Sequence, residues 1–341
     1  MRVEVINTQL SNKFIQEWEE FVLTHPDGSI FQTPEMYVIH LNTSKYSPFV
    51  VVCSNEANQI LGLMLVVIHK EYKGILGFLS SRALITGGPL VLDNNTIVLN
   101  LILEKYNELI SNKIIYTQFR NLFGFDFGKN VFEENDFRYL AHLNIINDLS
   151  IGREKIWQNF SRSRKRGIIK AENEGFHFIQ SDDIDMLNDF YHLLSISYQK
   201  IKLPYPSFEF FYNIYNNFKP KNFKLFFLRH GDEYVVSMFA LMFKNTVYGY
   251  YMGSSTDSEL LKKKPIDLFF WEFLKWAVNN GFQYYNWMGA GKPDTPYGVR
   301  DFKLQYGGKL VEYGRFEEIH WPLTYKVIKT FYKLWAKIKF R

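Results

Sequence analysis

Val51-Val52-Cys53-Ser54-Asn55-Glu56-Ala57-Asn58-Gln59-Ile60-Leu61-Gly62-Leu63-Met64-Leu65-Val66-Val67-Ile68 and Phe226-Phe227-Leu228-Arg229-His230-Gly231-Asp232-Glu233-Tyr234-Val235-Val236-Ser237-Met238-Phe239-Ala240-Leu241-Met242-Phe243 are equal in length and alike in pattern. Each runs from an apolar segment through a polar turn into a second apolar segment, which predicts a β-hairpin. The turns Asn55–Asn58 and His230–Glu233 hold residues that tolerate tight backbone geometry.

The flanks repeat as well. Phe14, Trp18 and Phe21 share a helical face before the first hairpin, as do Leu187, Phe190, Tyr191 and Leu194 before the second. The step from Trp18 to Pro34 equals that from Phe190 to Pro206. After each hairpin the pattern predicts a strand, a helix (Thr96 to Ile110, Ile266 to Asn280) and a strand (Ile114 to Phe119, Phe282 to Trp287). Two copies of one α/β unit account for this order. A boundary near Leu149 to Lys155 gives domains 1–150 and 151–322, with a basic helix over 323–341. No Pro/Ser-rich linker separates the two, so a tight junction with a shared cleft is expected. Gly175 and Gly281 each follow the last periodic residue of a helix and predict its end.

Composition excludes several classes. A chain of 341 residues, 47% hydrophobic and 22% charged, is neither a disordered tail nor a low-complexity array. The single cysteine, Cys53, lies in an apolar run and excludes a disulfide framework. The eight histidines lack helical metal-pair spacing and no His-Glu-x-x-His string occurs, so no metal and no bound cofactor are expected. The amino terminus has no signal-like apolar region and no window approaches eighteen apolar residues, which points to a cytoplasmic address. The aromatic share of 18% suits stacking on nucleobases or sugars, and equally the composition of an AT-rich genome.

Charge is uneven around a net +5. Arg162, Arg166 and Lys170 recur every fourth residue in a segment read as one helix from Trp157 to Glu172, beside Arg164 and Lys165. Like charges at this spacing repel unless an anion bridges them, so the face reads as a phosphate clamp or as a solvated surface. Arg120 ends the apolar strand at Ile114–Phe119. Arg300 and Lys303 lie three apart beside Gly307 and Gly308, a grouping of cations and loop amides suited to an oxyanion or phosphate. From Tyr325 to Arg341 there are six cations and no carboxylate. There Lys326, Lys329, Lys333 and Lys337 flank an apolar stripe of Val327, Phe331, Leu334 and Ile338 with Trp335 at its border, a basic amphipathic helix that fits an anionic membrane or its own domain.

Other strings are set aside. Gly289-Ala290-Gly291-Lys292-Pro293 lacks the first glycine and the Ser/Thr of a P-loop. No Ser/His/Asp or Cys/His arrangement is readable, which disfavours a covalent intermediate.

Phe302-Lys303-Leu304-Gln305-Tyr306-Gly307-Gly308 resembles the Phe-Lys-x-x-Phe-Gly-Gly pattern of the FemABX-like branch of the GNAT acyltransferases, with Tyr306 in place of the usual Phe. The Arg-rich run ending in Lys170-Ala171 and Gly175 is similar to the run preceding that family's second domain. The resemblance implies tandem GNAT-like domains and transfer of an amino acid or acyl group, by direct attack, onto an amine of a cell-envelope precursor such as a peptidoglycan intermediate, or of a surface sugar. It implies Lys303 as the group stabilising the transition state, Tyr251 on a strand facing the acceptor, and Arg120 near an interdomain cleft. The partners implied are a nucleotide- or lipid-linked precursor and an acyl donor used as co-substrate. The Arg/Gln-x-x-Gly-x-Gly/Ala loop of acetyl-CoA users is not found, which turns the donor toward aminoacyl-tRNA or an unusual thioester. No helical hairpin arm for tRNA is visible, so the compact FemAB-like envelope proteins are the nearer likeness. Rival readings are an RNA-binding protein without catalysis and a membrane-apposed scaffold at the inner face of the plasma membrane.

Overall fold

The computed structural model of the protein describes all residues except 8, 9, 111, 219, 220, 340 and 341, with side chains up to Thr330. The chain forms two compact units, Met1–Ala141 with Tyr313–Arg341, and His142–Glu312.

The first unit begins with β1 (Arg2–Ile6), α1 (Asn12–Thr24), α2 (Pro34–Leu41), β2 (Tyr46–Ser54), β3 (Ile60–His69) and α3 (Gly74–Leu79). It continues with β4 (Arg82–Gly87), β5 (Leu90–Val91), α4 (Thr96–Ile110), β6 (Tyr116–Asn121), α5 (Lys129–Glu134) and β7 (Arg138–Leu140). The second unit holds β8 (Leu143–Asp148), α6 (Gly152–Asn159), α7 (Arg162–Glu172), β9 (Phe176–Ser181), α8 (Asp185–Ile201) and α9 (Phe208–Asn217). Then come β10 (Phe223–His230), β11 (Glu233–Phe243), β12 (Thr246–Ser254), α10 (Ser258–Lys262), α11 (Pro265–Asn279), β13 (Tyr284–Gly289), α12 (Gly298–Leu304) and β14 (Lys309–Glu312). The chain returns to the first unit with β15 (Arg315–Ile319) and α13 (Pro322–Lys339).

Both predicted hairpins form, β2–β3 and β10–β11. Asn55 Oδ1 accepts from the Gln59 amide in the first turn, and Gly231 takes φ 58° in the second. The first sheet has the order β1-β2-β3-β4-β6-β15-β7, with β5 on β3; the second has the order β14-β8-β13-β12-β11-β10-β9. Pairing is antiparallel except for β4 with β6 and β12 with β13. In the first unit α4 covers one face through Val98, Leu99, Ile102 and Tyr106, packed on Val51, Met64, Ile85 and Phe119. In the second, α11 covers one face through Phe269, Phe270 and Phe273, packed on Phe226, Met238 and Tyr285. There α8 and α9 lie on the other face, with Phe190 and Phe211 against Phe239.

The units divide elsewhere than the bounds 1–150, 151–322 and 323–341. β8 precedes residue 150 yet pairs with β13 and β14, and β15 precedes 322 yet pairs with β6 and β7. Strand partners distant in sequence, not linker composition, set the division. The segment Trp157–Glu172 is two helices: Phe160 is extended at ψ 144°, and Ser161 caps α7 by accepting from the Arg164 amide. Gly175 and Gly281 take the left-handed conformation just beyond α7 and α11, as expected.

Candidate functional site

β12 and β13 run parallel for three residue pairs, Thr246–Tyr284, Val247–Tyr285 and Tyr248–Asn286, and pair no further. Two irregularities accompany the parting. On β12 the register slips opposite Phe239 and Ala240, leaving Tyr250 as the extra residue of a bulge. On β13 Met288 takes φ 60°, held by its amide donating to Asn286 Oδ1 at 2.8 Å. A non-glycine residue in this region is strained, and strain of this kind gathers at functional sites.

The released edge of β12 is met by α8. Ser197 Oγ accepts from the Ser254 amide at 2.7 Å and donates to its carbonyl at 3.1 Å. Gly253 permits this: a Cβ there would lie 2.4 Å from Leu193 C and Leu194 N of the α8 backbone. α8 thereby brings Tyr198 to Tyr251, ring centroids 6.1 Å apart. Tyr251 also meets Phe211 edge-on at 5.3 Å and Tyr250 at 4.7 Å. Strict strand alternation predicts Tyr250 on the opposite face; the bulge instead turns its ring to Tyr251 and Phe210. Met252 does alternate and packs into the α11 core. Burial, then the nearby Tyr297 hydroxyl, push the Tyr198 phenol up to about 12. Tyr297, just before α12, rests on Gly291.

α12 carries the two expected cations, and both meet backbone carbonyls. Lys303 Nζ donates to Trp287 O at 2.8 Å and Gly289 O at 3.0 Å, bracing the bulged end of β13. Burial lowers its pKa to about 8, so it stays mostly protonated at neutral pH. Arg300 donates to Lys292 O at 2.6 Å and Thr295 O at 2.8 Å, closing the β13–α12 loop. The glycine pair serves close packing and not the expected display of amides. The Gly307 amide donates to Leu304 O, and a Cβ on Gly307 would lie 2.6 Å from Asn159 Cβ. A Cβ on Gly308 would lie 2.4 Å from Ile145 Cγ2.

The basic helix divides its charges between two environments. Arg162, Arg166 and Lys170 are exposed on α7, and Lys170 Nζ donates to Lys262 O. Arg164 turns inward. Its guanidinium donates to buried Asp267 at 2.6 Å and to Gln305 at 2.9 Å, and lies 4.6 Å from the centroid of Phe302. The Tyr306 hydroxyl donates to the same Asp267 oxygen at 2.6 Å. This explains Tyr in place of Phe in the motif: a buried carboxylate needs donors. Gly167 completes the fit, since a Cβ there would lie 2.1 Å from Asp267 Oδ2. Among the described residues no hydrogen bond or ion pair joins Arg162, Arg166 or Lys170 to Lys303; the helix reaches the motif through Arg164. Arg120 lies in the first unit, exposed at the end of β6 opposite Arg315, where both donate to Gln118 Oε1.

Sequence reading missed Tyr198, Tyr297 and Asp267. Only Asp267 left a signal, a lone acid among Pro265, Ile266, Leu268 and Phe269. A surface hollow of about 450 Å³ lined by Arg153, Gln180, Glu272 and Trp276 lies on the α11 face, away from the Tyr251 face.

Residues 158–303 match the sequence family of the acetyltransferase (GNAT) domain. The crystal structure of FemX shares the fold with a TM-score of 0.70 at 16% identity, over 96% of this chain and 100% of that one. The C-terminal domain of a putative lysylphosphatidylglycerol synthetase from Agrobacterium fabrum gives 0.58 at 11% identity, over 89% and 92%. A tandem GNAT protein from the clavulanic acid biosynthesis pathway gives 0.57 at 7%, over 94% and 99%. The second unit therefore carries a GNAT domain, and the chain as a whole has the tandem GNAT architecture that the resemblance implied. No curated protein matches its sequence.

Proposed function

We propose that the protein is an N-acyltransferase or aminoacyltransferase that moves an acyl group or amino acid from an activated ester onto an amine of a cell-envelope precursor or surface sugar. Its reaction centre is the opening between β12 and β13. The observation that carries this reading is the parting of that strand pair after Tyr248–Asn286, beside Lys303 of α12, whose ammonium braces β13, and Tyr251 of β12. An open strand edge offers backbone donors and acceptors to an extended, amide-bearing ligand such as the arm of an acyl thioester or a peptide acceptor.

The acceptor amine attacks the donor carbonyl, the new C–N bond forms, and the C–O or C–S bond to the carrier breaks. The carrier leaves with the proton that the amine gives up. Lys303 uses two ammonium protons on Trp287 O and Gly289 O, which leaves the third to donate to the developing oxyanion. A preorganised donor of this kind contributes roughly 3 to 4 kcal/mol. Tyr198, Tyr251 and Tyr297 form an aromatic wall that orients the acceptor. The exposed cations Arg162, Arg166 and Lys170 suit the anionic part of a nucleotide- or lipid-linked acceptor, or a tRNA end, and Arg120 is a further candidate. The FemX fold and the neighbour named as a putative lysylphosphatidylglycerol synthetase fit transfer to an envelope component.

The test is product analysis by mass spectrometry after incubating the full chain with acyl-CoA or charged tRNA and amine-bearing UDP-linked or lipid-linked precursors. An acylated acceptor, absent with Lys303→Met, is expected. Intact acceptor with both donor classes overturns the reading.

A further inference from the structure

The connection between β3 and β4 exposes apolar groups that a folded domain normally hides. Ile75 is 81% exposed, Tyr72 64% and Leu76 61%. At the other end of the first unit Leu323 is 83% exposed and Val327 54%, on the first turns of α13. The two regions meet: the rings of Phe78 and Trp321 pack edge-on with centroids 5.6 Å apart. The short helix holds its shape through Gly77, where a Cβ would lie 2.4 Å from Tyr72 O. Isolated exposed apolar residues are ordinary, whereas a contiguous group framed by polar side chains marks a contact surface.

The frame is positive. Lys70, Lys73, Lys326 and Lys329 are exposed around these residues. Glu71 is the only carboxylate within 70–80 or 320–330, and Arg82 holds it at 2.9 Å with Lys45 at 3.7 Å. Aliphatic tips, flanking aromatic rings and a ring of lysines complement the acyl layer, the interface and the phosphates of an anionic bilayer in that order. No described helix is long and apolar enough to cross a membrane, so the contact is peripheral.

We propose that Tyr72, Ile75, Leu76, Trp321, Leu323 and Val327, with their four lysines, dock the first unit on an anionic lipid surface. The sequence pattern suggested only the carboxyl-terminal helix; the α3 tip is the added half. The proposal does not depend on the transfer reaction, and lipid binding is read without it.

The test is flotation of the full chain with equimolar phosphatidylglycerol–phosphatidylcholine vesicles and with phosphatidylcholine alone. Binding to the first and not the second is expected, weakening with salt. Ile75→Asp with Leu76→Asp should reduce it about ten-fold or more, since both side chains leave the acyl layer. Lys70→Gln with Lys73→Gln should reduce it by about five-fold per lysine. Ile97→Asp, exposed elsewhere on the first unit, should leave it unchanged. Exposed positions tolerate these changes, and an unaltered melting curve verifies it. Failure of the parent chain to float, equal binding to both vesicles, or full binding by the α3 variant overturns the proposal. So does a dimer in sedimentation that the α3 variant abolishes, with no lipid binding, because a second copy would then be the occupant.

Discussion

The two parallel strand pairs of this chain occupy the same place in two copies of one unit and differ in how far they hold together. β4 and β6 stay paired from Arg82–Tyr116 to Gly87–Asn121, six pairs in all. β12 and β13 part after three. In the first unit this strand pair stays joined along the whole of β4. In the second the pair opens, Met288 is strained, and a lysine braces the loosened end. The family match at 158–303 falls on that second unit. A duplicated fold thus reads as one copy kept closed and one opened, and the opened copy carries the candidate chemistry.

The seams that hold the two copies differ in the same direction. The first unit uses hydroxyl groups, Tyr106 to Thr117 at 2.5 Å and Thr117 to His320 at 2.8 Å. The second uses Arg164, Asp267 and Tyr306, with Asp267 in the first turn of α11, where a carboxylate is favoured. Removing one partner of a buried ion pair costs about 3 to 5 kcal/mol because the other charge stays behind. Asp267→Ala should therefore produce the largest loss of stability, unfolding the second unit first in a thermal melt followed by limited proteolysis. Loss of the first unit first would break the contrast.

Next in size are the glycines under the helices that cover each sheet. Gly253→Ala drives a methyl into the α8 backbone, and about 1 to 3 kcal/mol of overpacking is expected, with a fall in transfer as Tyr198 shifts. Denaturant titration with a parallel activity assay checks both.

Proton binding distinguishes the units through opposite ends of the pH scale. Burial lowers His40 to about 3, and burial, then Arg82, His40 and Arg120, lower His69 to about 2, from an ordinary 6.5. Below pH 6.5 the unfolded chain binds protons that the folded first unit refuses, so its stability falls as pH drops. Lys303, at about 8 against an ordinary 10.5, releases its proton earlier when folded, so the second unit gains stability as pH rises from 8 to 10.5. His69→Phe should flatten the acid limb and Lys303→Met the alkaline limb in melting temperatures across pH. Limbs that respond to the wrong variant would count against the assignment.

The smallest effect is expected for Gly62→Ala. There the added methyl meets Val98 Cγ1 at 2.7 Å and Ile102 Cδ1 at 2.8 Å, side-chain methyls and not the helix backbone that Gly253 faces, with Leu90 O at 3.2 Å. A loss under about 1 kcal/mol, well below that at Gly253, is expected by the same titration.

Much of the fold was legible because it rests on local periodicity. The hairpins at 51–68 and 226–243 and the helices before and after them follow from alternation and helical spacing alone. The return of β15 to β6 was not legible, since Arg315–Arg120 pairing joins residues far apart without any local mark. In the site, Lys303 and Tyr251 could be named from their motifs, but their surroundings could not. Which arginine of α7 turns inward depends on where the helix starts, and a start at Trp157 hides the break at Phe160 and Ser161. The partner that decides it, Asp267, sits on another helix. Bulges likewise defeat alternation, as Tyr250 shows.

The most direct test of a reaction centre in the opened strand pair is the steady-state and single-turnover kinetics of Lys303→Met beside the parent chain. The account predicts a fall in kcat of about 100- to 1000-fold with KM nearly unchanged, because the lost donor acts on the transition state. Transfer at the parent rate, or a change confined to KM, would contradict it.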